Sequence, residues 1–475
     1  MELETARKLI KKYMPGHADF VSHALKAENY YRNKTDIVFE PKKKSAEEVG
    51  GEVNILHNAD NKIPLNFHGL LVNQKAAYMY TAPPVFDIGD ETNNKALQKL
   101  LGDEYFKTCK DLCIDASNAS IAWLHVWRNE LGEIEYAPVP PVQIVPVWSR
   151  NLKKKLLAAM RTYQEIDETD GETYIIYEFW TDRECSAFRR RLADTEEMLM
   201  PYQMFMVDPA TCELSETYKH DIGEVPFFPF HNNNIDTGDL DNIKPLIDTY
   251  CKVFSGFVND LEDIHEIILI LTNYGGQDLR EFLHDLKYYK TIKTESMGEG
   301  DKSGVSTLTI DIPVEAREKL LKMTRASIFE QGQGIDPDPQ NFGNSSGVAL
   351  NFLYALLELK AGLQETEFRL SFARFIRCLC RLAELEIKDN IILQTWTRTS
   401  VKNEQEKAQI ASSSEGVISK RTIIANHPWV DSPERELQQI AEEEAEAETK
   451  ADVYKQAFKN GGNGGTDPDD GDASE

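Results

Sequence analysis

The sequence has 475 residues, of which 41% are hydrophobic and 28% are charged, and its formal net charge at pH 7 is −26. The mean hydropathy is −0.46, and the longest apolar run, Ile267 to Leu271, is far shorter than the ~20 apolar residues that cross a membrane. We therefore expect a soluble protein of two or three domains whose acidic surface disfavours tight binding of nucleic acid, because that binding depends on Lys and Arg at the phosphates.

The first part of the chain is predicted to be mostly helical. Residues 1–35 form a polar helical pattern without the apolar core of an export signal. A second helix is predicted over residues 62–80, and prolines directly after it end the pattern. Apolar residues at helical spacing predict a third helix over residues 94–114.

Residues 119–230 alternate apolar and polar side chains, which predicts an antiparallel β region. One hairpin is expected around the turn Glu130-Leu131-Gly132. A second is expected around Thr169-Asp170-Gly171, where an Asp-Gly pair joins two alternating runs.

A long helix is predicted over residues 243–276. Its apolar residues recur at steps of three and four, so one stripe must be buried against a partner surface, which a ring of neighbours would supply. Residues 277–312 contain a short amphipathic segment and two strand-like runs, and a returning helix is predicted over 313–331 with Pro313 at its start. This order predicts a stalk that carries a small head.

Residues 332–346 are predicted to be a loose loop rich in Gly, Asn, Asp, Pro and Ser. A long helix follows from residue 347 to about 386, with a stripe of Phe residues in its later half and a strand after it, before residue 400. Residues 401–458 are predicted to be largely helical. The Gly- and Asp-rich residues 459–475 are predicted to be a disordered acidic tail.

Sequence motifs of the common catalytic sites are absent. No Gly-x-x-x-x-Gly-Lys-Ser/Thr phosphate-binding loop, no His-Glu-x-x-His and no Gly-x-Ser-x-Gly occurs. The seven Cys are odd in number and scattered, which indicates buried thiols in a reducing compartment rather than a metal site. We therefore predict no catalytic residues, no metal, no cofactor and no enzymatic activity.

Four stretches together resemble the portal proteins of tailed bacteriophages that infect Gram-positive bacteria, a head-to-tail connector family. The stretches are NKIPLNFHGLLVNQKAAYMYTAPPVFD, VPFFPFHNNNIDTGDLDNIKPLIDTYCKVFSGFVNDLEDI, LTNYGGQDLREFLHDLKYYKTI and GNSSGVALNFLYALLELKAGLQETEFR. They lie in the order in which the family has them, and the resemblance covers about residues 40–400.

The resemblance implies an α+β portal fold, in which identical subunits, typically twelve, close into a ring at one vertex of the capsid. Its parts would be a mixed α/β wing (1–242), two stem helices (243–276 and 313–331), a small α/β clip (277–312), a tunnel loop (332–346), a helix and strand that return through the wing (347–400) and a helical crown (401–458).

The function that the resemblance implies is a channel through which double-stranded DNA is packaged and ejected. The expected partners are the terminase large subunit, a head-completion adaptor and the major capsid and scaffolding proteins, with no membrane. The expected location is the virion, with the host cytoplasm during assembly.

Particular residues are expected to serve these roles. The DNA-facing residues of the tunnel loop would be Asp336, Asp338, Asn341, Phe342, Asn344, Ser345 and Ser346. An acidic stem surface that repels DNA would consist of Asp260, Glu262, Asp263 and Glu266. Partner docking at the clip would use Lys287, Lys290 and Lys293.

Other interpretations stay open at this point. The chain could be a head-associated nuclease or another DNA-processing enzyme, or a structural adaptor without a DNA channel. The loop at residues 332–346 could be an ordinary ordered connection, and the clip lysines could form a solvated strand face.

Overall fold

The computed structural model describes residues 1–41, 59–129, 131–208, 213–264, 268–272, 304–308, 313–337, 347–398, 412–414, 417–425, 430 and 435–443. The chain splits into two compact units, one of Met1–Asn341 with Leu353–Arg398 and the other of Phe342–Phe352 with Thr399–Glu475. The sheets, cores and side-chain contacts discussed below belong to the first unit.

The described helices, in chain order, are α1 (Leu3–Tyr31), α2 (Asp36–Phe39), α3 (Phe67–Met79), α4 (Glu91–Leu101), α5 (Tyr105–Ala119), α6 (Lys244–Ile264), α7 (Val314–Gln331), α8 (Gly347–Leu382) and α9 (Lys420–Ala425). Residues 435–443 are also helical. None of the helices in the described ranges is long and apolar enough to cross a membrane.

The described strands are β1 (Val85–Asp87), β2 (Ile121–Arg128), β3 (Ile134–Val139), β4 (Ile144–Trp148), β5 (Leu156–Ile166), β6 (Thr173–Trp180), β7 (Glu184–Arg191), β8 (Met200–Pro201), β9 (Phe205–Asp208), β10 (Glu213–Ser215), β11 (Thr217–Lys219), β12 (Phe227–His231), β13 (Ile268–Thr272), β14 (Gly304–Leu308) and β15 (Leu393–Thr395). Every pairing among them is antiparallel. Together with the helices, these sheets confirm the predicted α+β class.

The β region predicted over residues 119–230 folds into two main sheets. One has the strand order β11-β7-β6-β5-β4, with β8 on β7, and the other has the order β12-β2-β3. Both predicted hairpins are confirmed, as β2 pairs with β3 and β5 pairs with β6. Gly132 and Gly171 in their turns have φ of 76° and 72°, a conformation that glycine adopts without steric cost.

The single helix predicted over residues 94–114 is in fact two helices. Asp90 caps α4, because its side chain accepts a hydrogen bond from the Asn93 amide at 2.9 Å. Gly102 ends the same helix with a φ of 67°, and α5 begins three residues later. The helical spacing of apolar residues continues across the break at Gly102, because the apolar residues of both helices face the same core.

The largest core forms where α8 passes α3, α4, α5 and the β12-β2-β3 sheet. Phe368, Phe372 and Phe375 of α8 are fully buried in it. The Phe230 ring of β12 lies 5.0 Å from Phe368 and 4.8 Å from Phe372, centroid to centroid, in edge-to-face geometry. The predicted Phe stripe is therefore the buried face of α8, and the helix itself ends at Leu382 rather than near residue 386.

The prediction of one helix over residues 243–276 is wrong at residues 268–272. The helix α6 ends at Ile264, and Ile268–Thr272 is a strand that pairs with Gly304–Leu308. A continuous apolar run matches helical and strand periodicity equally well. The alternating β-branched Ile residues of this run favour the strand.

The apolar stripe of α6 is only partly buried within the chain. Ile243 is fully buried, and Leu246 and Tyr250 are half-buried against the core that contains Phe67 and Phe329. Leu261 is 47% exposed. The expectation that neighbouring subunits complete the burial of this stripe stays a prediction.

Several predicted segments can be compared only in part. The returning helix is confirmed as α7, which follows Pro313 and ends at Gly332. Most of the clip (277–312) and crown (401–458), the later part of the tunnel loop (338–346) and the whole tail (459–475) lie outside the described residues. Those assignments stay predictions.

The cysteines in the described part of the chain are buried thiols. The six cysteines of the described chain are buried and unpaired, and burial raises the pKa of Cys109 to about 12. In the same part of the chain no group of three or more His, Cys, Asp or Glu could hold a metal ion. The expectation of buried thiols is confirmed for these six.

Candidate functional site

Residues 332–337, which we call the loop base, follow α7 and form the described part of the predicted tunnel loop. The Gln74 amide nitrogen of α3 donates to the Ile335 carbonyl at 2.7 Å, and the Ile335 N–H donates to the Gln74 side-chain oxygen at 3.0 Å. The Lys360 ammonium of α8 donates to the Gly332 carbonyl at 2.8 Å. The loop base is thus tied to α3 and α8, unlike the loose segment that we predicted.

Two glycines let the loop base lie directly on α3. A Cβ added at Gly334 would stand 2.1 Å from a methyl carbon of Leu71, and one added at Gly332 would stand 2.6 Å from the other methyl. Because Leu71 is itself buried in the core beside α6, it cannot withdraw far. These positions therefore require glycine on steric grounds.

Asp336, predicted to face DNA, forms an ion pair with Arg325 of α7. The Arg325 Nε lies 3.0 Å and 3.2 Å from the two carboxylate oxygens, and Nη2 lies 2.6 Å from Oδ1. This two-pronged geometry is the strongest that Arg and a carboxylate form. The structure therefore shows the carboxylate of Asp336 engaged with α7.

A buried cluster of charges lies next to the loop base, and the sequence analysis missed it. Asp239, in the loop before α6, forms ion pairs with Lys75 of α3 and Lys360 of α8, whose Nζ atoms lie 2.7 Å and 3.1 Å from its Oδ2. The side chains of Lys75, Asp239 and Lys360 are 1%, 6% and 12% exposed. Asn232 completes the cluster, since it donates to Asp239 Oδ1 at 3.0 Å and accepts from Lys75 at 2.9 Å.

The electrostatics of this cluster follow from two ammonium groups that share one carboxylate. Burial alone would raise the pKa of Asp239, but the charges of Lys360 and Lys75 and the bonds from Lys75 and Asn232 hold it well below its usual range. Burial lowers the pKa of Lys360, and Asp239 opposes that shift. A lysine within the apolar stretch LLVNQKAAYM was the sequence signal that could have revealed the cluster.

The predicted acidic stem residues have different surroundings. Asp260 forms an ion pair with Arg317 of α7, whose guanidinium lies 5.6 Å from the Phe257 ring centroid. Asp260 therefore lies between α6 and α7. Glu262 accepts a hydrogen bond from Asn61 at 2.7 Å, and Asp263 belongs to α6.

The remaining candidate residues lie outside the described part of the chain. They are Glu266, Lys287, Lys290, Lys293, Asp338, Asn341, Phe342, Asn344, Ser345 and Ser346. Their roles stay predictions.

Comparison with known proteins decides the family. The model of a family described as "Phage portal protein, SPP1 Gp6-like" matches residues 10–450. The chain belongs to this portal family. It is 40% identical to the portal protein of Clostridium phage phiCD119 over 470 residues, which cover 96% of this chain and 99% of that protein. It is 29% identical to the portal protein of Bacillus phage SPP1 over 446 residues, 92% of this chain and 85% of that protein.

Among solved structures, the chain is similar to a chain in the "Neck of native GTA particle computed with C12 symmetry". The TM-score is 0.41 at 10% identity, and the match covers 76% of this chain and 89% of that chain. A second match, to the "Neck of empty GTA particle computed with C6 symmetry", has a TM-score of 0.40. The identification as a portal protein rests on the family model and the two phage relatives, and it confirms the resemblance seen in the sequence.

One outer face of this portal subunit is apolar although it lies on the surface of the chain. Leu356, Leu359, Leu363 and Leu370 of α8 are 38%, 61%, 61% and 63% exposed. Their steps of three, four and seven place them on one side of the helix, opposite the buried Phe residues. We call these four residues the leucine face.

Proposed function

We propose that this portal subunit forms a closed ring of twelve copies at one capsid vertex, around a channel through which double-stranded DNA is packaged and later ejected. The observation that carries the proposal is the family match over residues 10–450, supported by 40% identity to a phage portal protein along nearly the whole chain. Both phage relatives are named portal proteins, and neither name denotes an enzyme.

Ring closure is supported by the leucine face. Burial of such an apolar stripe lowers the free energy by about 25 cal/mol for each Å² of apolar surface removed from solvent. A neighbouring copy that covers it through a different surface of its own makes a heterologous contact, and such contacts close into a ring when the rotation fits. We assign the leucine face to the contact between subunits.

Passage of DNA is supported by the charge of the chain. At a net charge of −26 per subunit, a ring repels the phosphates of a duplex and does not hold it in place. We propose that Glu262, Asp263 and Glu266 face the channel. Asp260 contributes less to this repulsion, because Arg317 neutralises it.

Within the proposed loop, contacts with DNA are assigned to the residues after the loop base. Asn341, Asn344, Ser345 and Ser346 carry neutral groups whose hydrogen bonds to phosphate form and break easily. Asp338 repels phosphate, and Phe342 packs against the neighbouring subunit. Asp336 belongs to the loop base instead.

We propose that the clip is a docking surface for partner proteins. Lys287, Lys290 and Lys293 would contact acidic surfaces of the terminase large subunit and, later, of the head-completion adaptor. The subunit would assemble in the host cytoplasm together with major capsid and scaffolding proteins, and it would remain in the virion.

The ring is tested by electron microscopy of the purified full-length protein, viewed down the particle axis. We expect closed rings with a central hole wide enough for a duplex. Compact particles without a hole would point to a structural adaptor, and metal-dependent cleavage of plasmid DNA by the same preparation would point to a nuclease.

The loop assignment is tested by replacing residues 338–344 with two glycines, which leaves the loop base intact. We expect rings of normal mass that package less DNA per head, because the contacts to phosphate are lost. The measurement is the length of DNA extracted from assembled heads. Heads filled to the wild-type length would contradict the assignment.

A further inference from the structure

Side chains of α3 and α8 hold the loop base, where the chain leaves the wing. We propose that Gln74 and Lys360 are positioning residues, which fix the place where the chain leaves the wing toward residue 338. The inference rests on the proposed function, because it concerns how the DNA-facing part of each subunit is aimed.

Gln74 binds the loop base with its side-chain amide, in the way that the backbone of a neighbouring β-strand would bind it. Its side-chain amide makes both a donated and an accepted hydrogen bond with the backbone of Ile335, at 2.7 Å and 3.0 Å. Two hydrogen bonds, one to the N–H and one to the carbonyl of Ile335, fix the orientation of its backbone as well as its position. The glycines on both sides of Gln333 bring the backbone close enough to α3 for these bonds to form.

Lys360 connects the loop base to the buried charge cluster around Asp239. Its ammonium bridges the Gly332 carbonyl and the Asp239 carboxylate. Asp239 is in turn fixed to the end of α5, because its N–H donates to the Ser117 carbonyl at 2.8 Å. A Cβ added at the adjacent Gly238 would stand 3.2 Å from the Asn118 carbonyl oxygen, so this loop lies tightly against α5.

Side chains therefore attach the loop base to the wing at two points and to α7 at a third, and the N–H groups of Gly332, Gln333 and Gly334 also donate to carbonyls at the end of α7. Gln74 and Lys360 attach the loop base to α3 and α8, and Arg325 attaches Asp336 to α7. The wing contacts act on the backbone of Gly332 and Ile335, whereas Arg325 holds only the side chain of Asp336, so we infer that the wing contacts position the backbone from which residue 338 continues. A shift of α7 alone would have to break them before it could move that point.

The test uses full-length rings of Gln74→Ala and of Lys360→Met, with amide hydrogen exchange measured on peptides that cover residues 332–337. Loss of these bonds is expected to speed exchange at Gly334 and Ile335 about tenfold, the equivalent of about 1.4 kcal/mol. The matched control is Tyr78→Phe, which removes a bond between the same two helices at Glu358, 2.5 Å long, without touching the loop base. It should leave that exchange unchanged.

DNA extracted from heads that contain each variant supplies the second measurement. Faster exchange together with less DNA per head, in both variants but not in the control, supports the proposal. Unchanged exchange overturns it. Faster exchange with wild-type DNA content also overturns the positioning role, while the proposed channel stands. Failure of wild-type rings to package DNA would instead reject the proposed function, and the exchange result would still be valid.

Discussion

Leu359→Glu combined with Leu363→Glu is expected to prevent ring assembly while the subunit stays folded. Both side chains are 61% exposed in the single chain, so two carboxylates there remain in water and cost the isolated fold little. In a ring, the proposed contact would bury them without partners. An uncompensated buried charge costs several kcal/mol, and the penalty recurs at every contact around the ring.

Size-exclusion chromatography with light scattering gives the particle mass, and circular dichroism gives the melting temperature. We expect a mass near that of one subunit and a melting curve like that of wild-type chains dissociated at low concentration. The matched control is Leu131→Glu with Leu152→Glu, two leucines in hairpin loops that are 84% and 106% exposed. Rings of wild-type mass from the α8 variant would show that neighbours do not cover the leucine face.

The two faces of α8 show how far the sequence could predict this interface. Its Phe residues and its exposed Leu residues both follow helical spacing, and apolar periodicity alone does not say which stripe enters the core of the same chain. The phenylalanines lie inside because β12 and β2 supply aromatic partners. For α6 the core around Phe67 and Phe329 covers only part of the predicted stripe, since Leu261 stays 47% exposed.

Elements with a local signal were predicted well. The Asp-Gly turn, Pro313 before α7 and Gly332 after it act through the backbone of one or two residues, and all three are confirmed. The strand at Ile268–Thr272 was missed because its identity depends on pairing with Gly304–Leu308, a partner from another part of the chain. Tertiary context overrode the helical spacing there.

The candidate site was only partly predictable for the same reason. Composition identified residues 332–346 as irregular, but Gln74, Asp239 and Lys360 come from three distant segments. Asp336 also looked like a free carboxylate until α7 placed Arg325 beside it. The sequence contains the residue types, whereas the fold determines which of them meet.

Asp239→Asn is expected to destabilise the subunit by about 3–5 kcal/mol, the cost of removing one partner from a buried ion cluster. Asp239 uses Oδ2 for both lysines and Oδ1 for Asn232. Asparagine has only one oxygen. Whichever way its amide is turned, its NH₂ group faces either the two ammonium groups or the Asn232 amide, which are all donors. Denaturant unfolding followed by tryptophan fluorescence measures the loss.

The pH dependence of this loss distinguishes a charge effect from poor packing. The pKa of Lys360 is lowered in the fold, so between its folded and unfolded pKa values the unfolded chain binds more protons and stability rises with pH. Without Asp239 to oppose burial, that pKa falls further and the rise begins at lower pH. The deficit of the variant should therefore narrow as the pH rises from neutral toward the ordinary lysine pKa of about 10.4, because Lys360 loses its proton more readily in the variant.

The control for this prediction is Asp236→Asn in the same loop. Asp236 is 54% exposed and has a φ of 55°, a conformation that Asn tolerates well, so the change should cost less than about 1 kcal/mol at any of these pH values. An Asp239→Asn deficit as small as this, or one that stays constant or widens as the pH rises, would mean that the carboxylate does not hold the two lysines. The link from α5 through Asp239 and Lys360 to the Gly332 carbonyl would then lose its electrostatic basis.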